Sequence, residues 1–550
     1  MYASKNDKGP LLMKVNKTNV YRAFTSVILL SLFMLTSPQR ASACGGFFCN
    51  VQDPINQAAE RILFAVQGDE TEMHVQVQYQ GPPAGFGWIL PVTPGVTTEI
   101  SSEALFAALN RLYGPIFSLN YEYDELCNFD DIRGVAGTEG GFDRFDMGLA
   151  EPTVQVISRE PVGPYDRAIL QADDVGALRD WLNENDFQIP DTIDEKLQPY
   201  IDAGAVFVVI KLLADRGVGD LVPLKLTFPG TMPSIPVIPT AVAAEPDMGI
   251  IVHILGPHRA VPTNYQHVHI NEAVIDWKSS GSNYPAVVSQ AVDEAGGRAF
   301  TTDYAGEVGE QITNIIAPYS DDVLANIAAA TTFGEIEGAI PDTTNPDYQR
   351  IFSEVFGETE QDWDLPADGM LLSTRLMDEL NPIYEHLNQL FFSSARITRL
   401  YTTMSANEMT VDPLFSFNPD LENIDRFHRA TLHVTCDDTG EETSRRIELE
   451  DGRTYQLDDV TPIERQEGET VRGDELSAVT QIEQLSVAGP PEVIKMMMPN
   501  QMTPETPSDD VSSGSGDDGG CLQANRGTGS GVMLWILLLI GLRWRQARSA

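Results

Sequence analysis

The hydrophobic pattern is clearest between Arg61 and Gln80, where RILFAVQ and TEMHVQVQYQ flank Gly68-Asp69-Glu70. In the second run Val75, Val77 and Tyr79 alternate with His74, Gln76, Gln78 and Gln80. Period two marks a half-buried strand, and the short polar connection with Gly predicts a hairpin. Pro82-Pro83 and Gly85 break the pattern, and Phe86 to Pro91 predicts a short buried strand. Ser102 then opens a helical stretch with Leu105, Phe106, Leu109 and Leu112 at helical spacing, stopped by Gly114-Pro115.

Cys127 to Met147 is rich in Gly and Asp and reads as a loop or insertion. Strands are expected over Thr153–Ser158, Ala168–Gln171, Ala205–Leu213, Leu221–Phe228 and Met248–Leu255. Asp173 is the expected cap of a helix carrying Leu178, Trp181 and Leu182 on one face, which ends near Asn185. Pro285 to Glu294 predicts a helix ended by Gly296-Gly297. From Glu310 to Phe392 the chain reads as mostly helical, best over Asp321–Ala330, Tyr348–Phe356 and Met370–Leu380. Arg429–Thr435 and Ser444–Leu449 resemble strands again.

Strands and helices are mixed without a regular βαβ alternation. The expected class is therefore α+β, with mixed, largely antiparallel sheets and helical insertions. The reading divides the chain into a leader over 1–43, an N-terminal α+β region over 44–310, a mostly helical region over 311–392 and a C-terminal α+β region over 393–498. A Pro-, Ser-, Asp- and Gly-rich linker over 499–530 and a hydrophobic tail over 531–550 complete it. The linker buries too little apolar surface to offset chain entropy and is expected to be flexible.

Both ends carry targeting patterns. Lys5, Lys8, Lys14, Lys17 and Arg22 precede the apolar run Val27–Leu35, and Ala41-Ser42-Ala43 precedes Cys44. A basic end, a short apolar middle and small residues at −3 and −1 are the parts of a secretory signal peptide. Simple cleavage before Cys44 is expected. Lipidation of Cys44 is the alternative, disfavoured because such signals usually place Leu where this chain has Ala41. At the far end an apolar run, Gly531–Leu542, is followed by Arg543, Arg545 and Arg548. Terminal arginines put the cytoplasm on that side and the body outside, although the run is short for a full span.

Charge and cysteines sharpen this picture. The chain carries 80 Asp+Glu against 36 Lys+Arg, a net charge of −44. Such a field repels a phosphate backbone, so no nucleic-acid partner is expected. Export permits disulfides among the five cysteines. Cys44 and Cys49 can close a small loop and Cys127 and Cys436 can join distant segments, with Cys521 left over in the linker. Spacing does not choose among the three connectivities of four cysteines.

The candidate chemistry is sparse. Cys49 with His74 as base is the best thiol pair, set against the disulfide to Cys44 that an oxidising setting favours. His267 and His269 sit at strand spacing and can point to one side. No third ligand stands at a recognisable interval, so surface histidines are expected rather than a metal site. His428 and His433 are similar and weaker. Asp437-Asp438 lacks the calcium-loop order, and G-x-S-x-G, H-E-x-x-H and a phosphate-binding glycine loop are all missing from the sequence. No catalytic residue, metal or cofactor is assigned on this reading, and the ligand is left open.

Several stretches together carry a resemblance. They are Cys44-Gly45-Gly46-Phe47-Phe48-Cys49, Glu60-Arg61-Ile62, Val75–Tyr79, Trp88–Val92, Asp173-Asp174 to Trp181-Leu182, Asp293–Gly297, and Leu400–Asn418 with Thr402-Thr403-Met404 and Asp412-Pro413. The chain resembles, from Cys44 to about Cys436, a bacterial family known as domain of unknown function 2330. That resemblance implies no activity, cofactor or catalytic residue. The tail, with Cys521, the apolar run and the arginines, is similar to C-terminal sorting signals of myxobacteria and their relatives. It implies display at the cell surface, by membrane anchoring or after tail processing. The expectation is thus an exported envelope protein with a binding or structural role, the membrane being engaged through the tail. An envelope enzyme using a thiol or a histidine cluster is the alternative.

Overall fold

The computed structural model describes residues 56–80, 86–125, 127, 155–187, 191–213, 221–357, 363–457, 462–463 and 476–496. The leader, Cys44, Cys49, the linker, Cys521 and the tail with Arg543 and Arg545 lie outside them. No helix among the described residues is long and apolar enough to cross a membrane.

The strands, in chain order, are β1 (Asn56–Gln67), β2 (Glu70–Gln80), β3 (Gly87–Val92), β4 (Thr97–Ile100), β5 (Ile116–Tyr123), β6 (Gln155–Val162), β7 (Tyr165–Gln171), β8 (Val206–Leu212), β9 (Leu224–Pro229) and β10 (Ala244–Gly256). They continue as β11 (Arg259–Pro262), β12 (Gln266–Ile270), β13 (Ala299–Glu307), β14 (Arg396–Met404), β15 (Phe415–Asn418), β16 (Phe427–Cys436), β17 (Glu442–Leu449), β18 (Thr454–Gln456), β19 (Val479–Gln484) and β20 (Glu492–Met496). The class is α+β, with several mostly antiparallel sheets. A ten-stranded sheet runs β20-β19-β12-β13-β14-β10-β1-β2-β9-β4. Its parallel pairs are β1 with β10 and β12 with β13. Two four-stranded sheets, β3-β8-β7-β6 and β18-β17-β16-β5, and the pair β11-β15 complete the set.

The hairpin β1–β2 pairs Gln67 with Glu70 across Gly68-Asp69, and Gly68 takes the left-handed φ of 61° that the turn needs. On β1, Ile62 and Phe64 join one core while Leu63 and Ala65 join another. This strand is buried on both faces, which explains its unbroken apolar run. The same holds for β8, where Val206, Val208 and Ile210 face the large sheet and Phe207 and Val209 face away from it. The layers follow from these alternations. Helices Val175–Glu184 and Asp194–Asp202 cover the sheet of β3, whose other face packs on the ten-stranded sheet. The far face of the ten-stranded sheet is covered by helix Glu103–Tyr113 and by helices between Gln311 and Ser393.

Two expectations shift on inspection. The cap of helix Val175–Glu184 is Asp174, not Asp173; its carboxylate accepts from Ala177 N at 2.9 Å. The polar side of β2 is more closed than alternation alone implies: His74 is buried, while Glu72, Gln76 and Gln78 are half-buried.

Cys127 and Cys436 form a disulfide across 309 residues, with their Cα atoms 5.3 Å apart. The bridge lies just beyond the parallel pairing of β5 with β16, where Tyr123 faces Val434.

The covering helices include one unusual turn. Helix Gly369–Arg375 passes through a π-turn over Leu376–Leu380 into helix Asn381–Ser393. Leu372, Leu376, Leu380 and Tyr384 are buried at intervals of four. A regular helix of 3.6 residues per turn would carry that row around its axis by about 40° per step. The wider π-turn offsets part of this drift, and Pro382, which has no N–H to give, follows it. Helix Asn381–Ser393 carries His386.

Candidate metal centres

Two clusters of two histidines and one glutamate stand on the ten-stranded sheet. In each, the three ligand atoms lie within 4.8 Å of one another.

The first cluster begins on β2, where Glu72 and His74 share a face because they are two residues apart in a strand. His74 is paired opposite Leu63, and both look into the helical layer. That layer brings His386, which is 314 residues further along the chain than Glu72. His74 Nε2 stands 2.6 Å from Glu72 Oε1, and His386 Nε2 stands 2.7 and 2.9 Å from the two Glu72 oxygens. His74 Nδ1 meets Ser101 Oγ at 2.6 Å. The His74 side chain is 1% exposed and that of His386 40%, so the cluster is closed on the sheet side and open toward the helix surface.

Burial pushes the Glu72 carboxyl up, but hydrogen bonds from His386 and His74 outweigh it and hold the group well below the usual carboxylate range. Burial, against the pull of Glu72, lowers His74 and keeps it neutral. A neutral imidazole has one donor and one acceptor, and a carboxylate only accepts. Nε2–H therefore donates to Glu72, while Nδ1 accepts from the Ser101 hydroxyl. Lys225 also opposes a proton on His74, and it is paired with Glu99 on the neighbouring strand.

The second cluster corrects the expectation of surface histidines. His267 is fully buried, and only His269, with its side chain 46% exposed, meets solvent. The missing carboxylate is Glu483 on β19, directly opposite His267 in the antiparallel register. Glu483 Oε1 is 3.0 Å from both His267 Nδ1 and His269 Nε2, and its Oε2 accepts from Gln481 at 2.6 Å. His267 Nε2 meets Thr302 Oγ1 at 2.9 Å, and that oxygen also accepts from Arg259 Nη2 at 3.3 Å. Burial lowers His267 to about 4 in spite of Glu483. Burial raises the Glu483 carboxyl, and the two histidines more than reverse this.

The remaining sequence candidates fall apart in space. His428 stacks on Phe117 and pairs with Glu272 at 2.7 Å. His433 bridges Glu122 and Glu448 from opposite ring nitrogens. Deeper in the sheet, Arg399 and Asp303 form a buried ion pair that Tyr284 also joins. It is enclosed and holds the sheet rather than facing a ligand.

An α+β body with two histidine–carboxylate clusters on a ten-stranded sheet is the class of molecule these observations define. The chain belongs to the family described as "Uncharacterized protein conserved in bacteria (DUF2330)", whose model matches residues 38–345. No curated protein and no solved structure matches the chain.

Proposed function

We propose that this protein is an exported binding module of the bacterial cell envelope, held at the surface by its C-terminal segment. The observation that carries the reading is the Cys127–Cys436 bridge. Cytosolic thiols are kept reduced, whereas exported chains keep such links. The basic leader with Ala41-Ser42-Ala43 before Cys44, and the apolar run before Arg543 and Arg545, support the same topology. The strongly acidic composition suits a soluble body outside the cytoplasm.

A second reading, an envelope enzyme built on a histidine cluster, is favoured by one observation: Glu72, His74 and His386 converge with a half-exposed side.

The test of export is fractionation of the native host with alkylation before and after reduction. A chain in the envelope fraction that starts at Cys44 and takes label at Cys127 and Cys436 only after reduction is expected. An uncleaved chain in the cytosol, labelled at both cysteines without reductant, would refute it.

A further inference from the structure

We propose that Glu72, His74 and His386 form a binding site for one divalent transition-metal ion of the zinc class, closing the helical layer onto the large sheet. The site does not depend on where the chain resides, so its test and the export test fail separately.

The donor set is two imidazole nitrogens and a carboxylate, which suits zinc and its neighbours rather than calcium or magnesium. The geometry is close to what coordination needs. Four ligands at about 2.0–2.1 Å in a tetrahedron stand roughly 3.3 Å from one another. The Glu72 oxygens now sit 2.6 to 2.9 Å from the two Nε2 atoms, as hydrogen-bond partners. Opening these gaps takes shifts of under about 1 Å: a small rotation of the half-exposed His386 opens its own, and a turn of the Glu72 carboxylate opens the one to His74.

Proton balance is met by the His74 ring and by solvent at His386. An incoming ion displaces the Nε2 protons of His74 and His386. On His74 a proton is carried instead at Nδ1, where the Ser101 hydroxyl turns from donor to acceptor. That is the outer hydrogen bond metal-bound histidines ordinarily make. His386, open to solvent, exchanges its proton with water. The open side leaves a coordination position for water or an outside ligand, as in zinc sites that are not purely structural. Lys225 opposes a second positive charge, but Glu99 pairs with it.

The cluster of His267, His269 and Glu483 is the internal comparison. There Glu483 only accepts, so the neutral His267 holds its ring proton on Nδ1 against that carboxylate, and Nε2 accepts from Thr302, whose oxygen in turn accepts from Arg259. Gln481 occupies the other carboxylate oxygen, and the Arg259 charge lies close to Glu483. The occupied carboxylate oxygen and the nearby cation set this cluster apart, and it serves as the control.

The experiment is titration of the purified full chain, stripped with chelator, with Zn²⁺ and with Co²⁺ as a spectroscopic stand-in. His386→Ala and Glu72→Gln are expected to weaken Zn²⁺ binding more than about 100-fold, beyond the range for losing an outer partner. Ser101→Ala is expected to weaken it by about 10-fold, as loss of such a partner does. His269→Ala is expected to leave the affinity unchanged. His386→Gln, which keeps the side chain's bulk at a half-exposed position, repeats the test if the alanine variant unfolds. Zinc binding that survives both His386 substitutions, or that is lost with His269→Ala instead, would overturn the proposal. So would failure of the unsubstituted chain to take up either ion at micromolar concentration.

Discussion

Breaking the Cys127–Cys436 bridge isolates one link between export and stability. The bridge closes a loop of 309 residues. In the chain-entropy description, closing so long a loop removes about 5–6 kcal/mol of freedom from the unfolded chain, while typical bridges deliver about 2–4 kcal/mol. The lower range is the better expectation here, because β5 and β16 stay paired over Ile116–Tyr123 and Phe427–Val434 without it. Replacing both cysteines by alanine should therefore destabilise the small sheet by roughly 3 kcal/mol. Hydrogen exchange reads this directly. Protection in β5 and β16 should fall by roughly 100-fold, since each 1.4 kcal/mol is a factor of ten. The hairpin β1–β2, which packs into two cores apart from that of the small sheet, should lose less. Unchanged exchange in β5 and β16, in both the double variant and the reduced native chain, would refute the reasoning.

Other perturbations probe separate parts of the molecule. His267 is held neutral by burial and drops to about 4. Its contribution is full above the unfolded value near 6.5 and is lost as pH falls from there toward 4. Glu72 and Glu483 are depressed, so their contributions persist above the unfolded value near 4.3 and vanish only at lower pH. Urea midpoints at a series of pH values should show stability declining below pH 6.5, and declining less steeply in His267→Gln, where the buried His74 and His253 alone sustain it. Gly369→Ala should destabilise by about 2 kcal/mol or more in thermal melts, because its methyl would collide with the carbonyl oxygens of Ile327 and Ala330. Asp347 is buried and accepts from Ser102 Oγ, Glu103 N, Ala104 N and Tyr384 Oη. Asp347→Ala should cost about 3 kcal/mol in urea unfolding, because it orphans these donors and strips the start of helix Glu103–Tyr113 of its anion.

Local chemistry made much of the fold legible. The hairpin β1–β2 followed from alternation and Gly68, and helix Glu103–Tyr113 from Ser102 and the apolar spacing up to Gly114. Strand β8 was equally plain as VFVVIKL. Strands β13 and β14 were not legible, because their buried positions include Thr301, Thr302, Asp303, Thr398 and Arg399, which no apolar pattern flags. Their polarity is matched across strands and not along either one. The clusters were hidden for a related reason. Spacing could place His267 beside His269, and Glu72 beside His74, because each pair lies on one strand. Glu483 is brought to His267 by the β12–β19 register, and His386 to Glu72 by the packing of a helix on a sheet. The row Leu372, Leu376, Leu380 and Tyr384 is the local pattern of this helix, and its spacing of four suits an ordinary helix ridge as well as the π-turn before the helix of His386.

The sharpest test is anomalous diffraction at the zinc edge from crystals of the full chain grown with Zn²⁺. The expected result is a peak between the Nε2 atoms of His74 and His386 and the Glu72 carboxylate, at bond lengths of about 2.0–2.2 Å. Crystals with no peak at that point, Glu72 still hydrogen-bonded to both histidines and zinc only at His267, His269 and Glu483 or on the surface, would contradict the account.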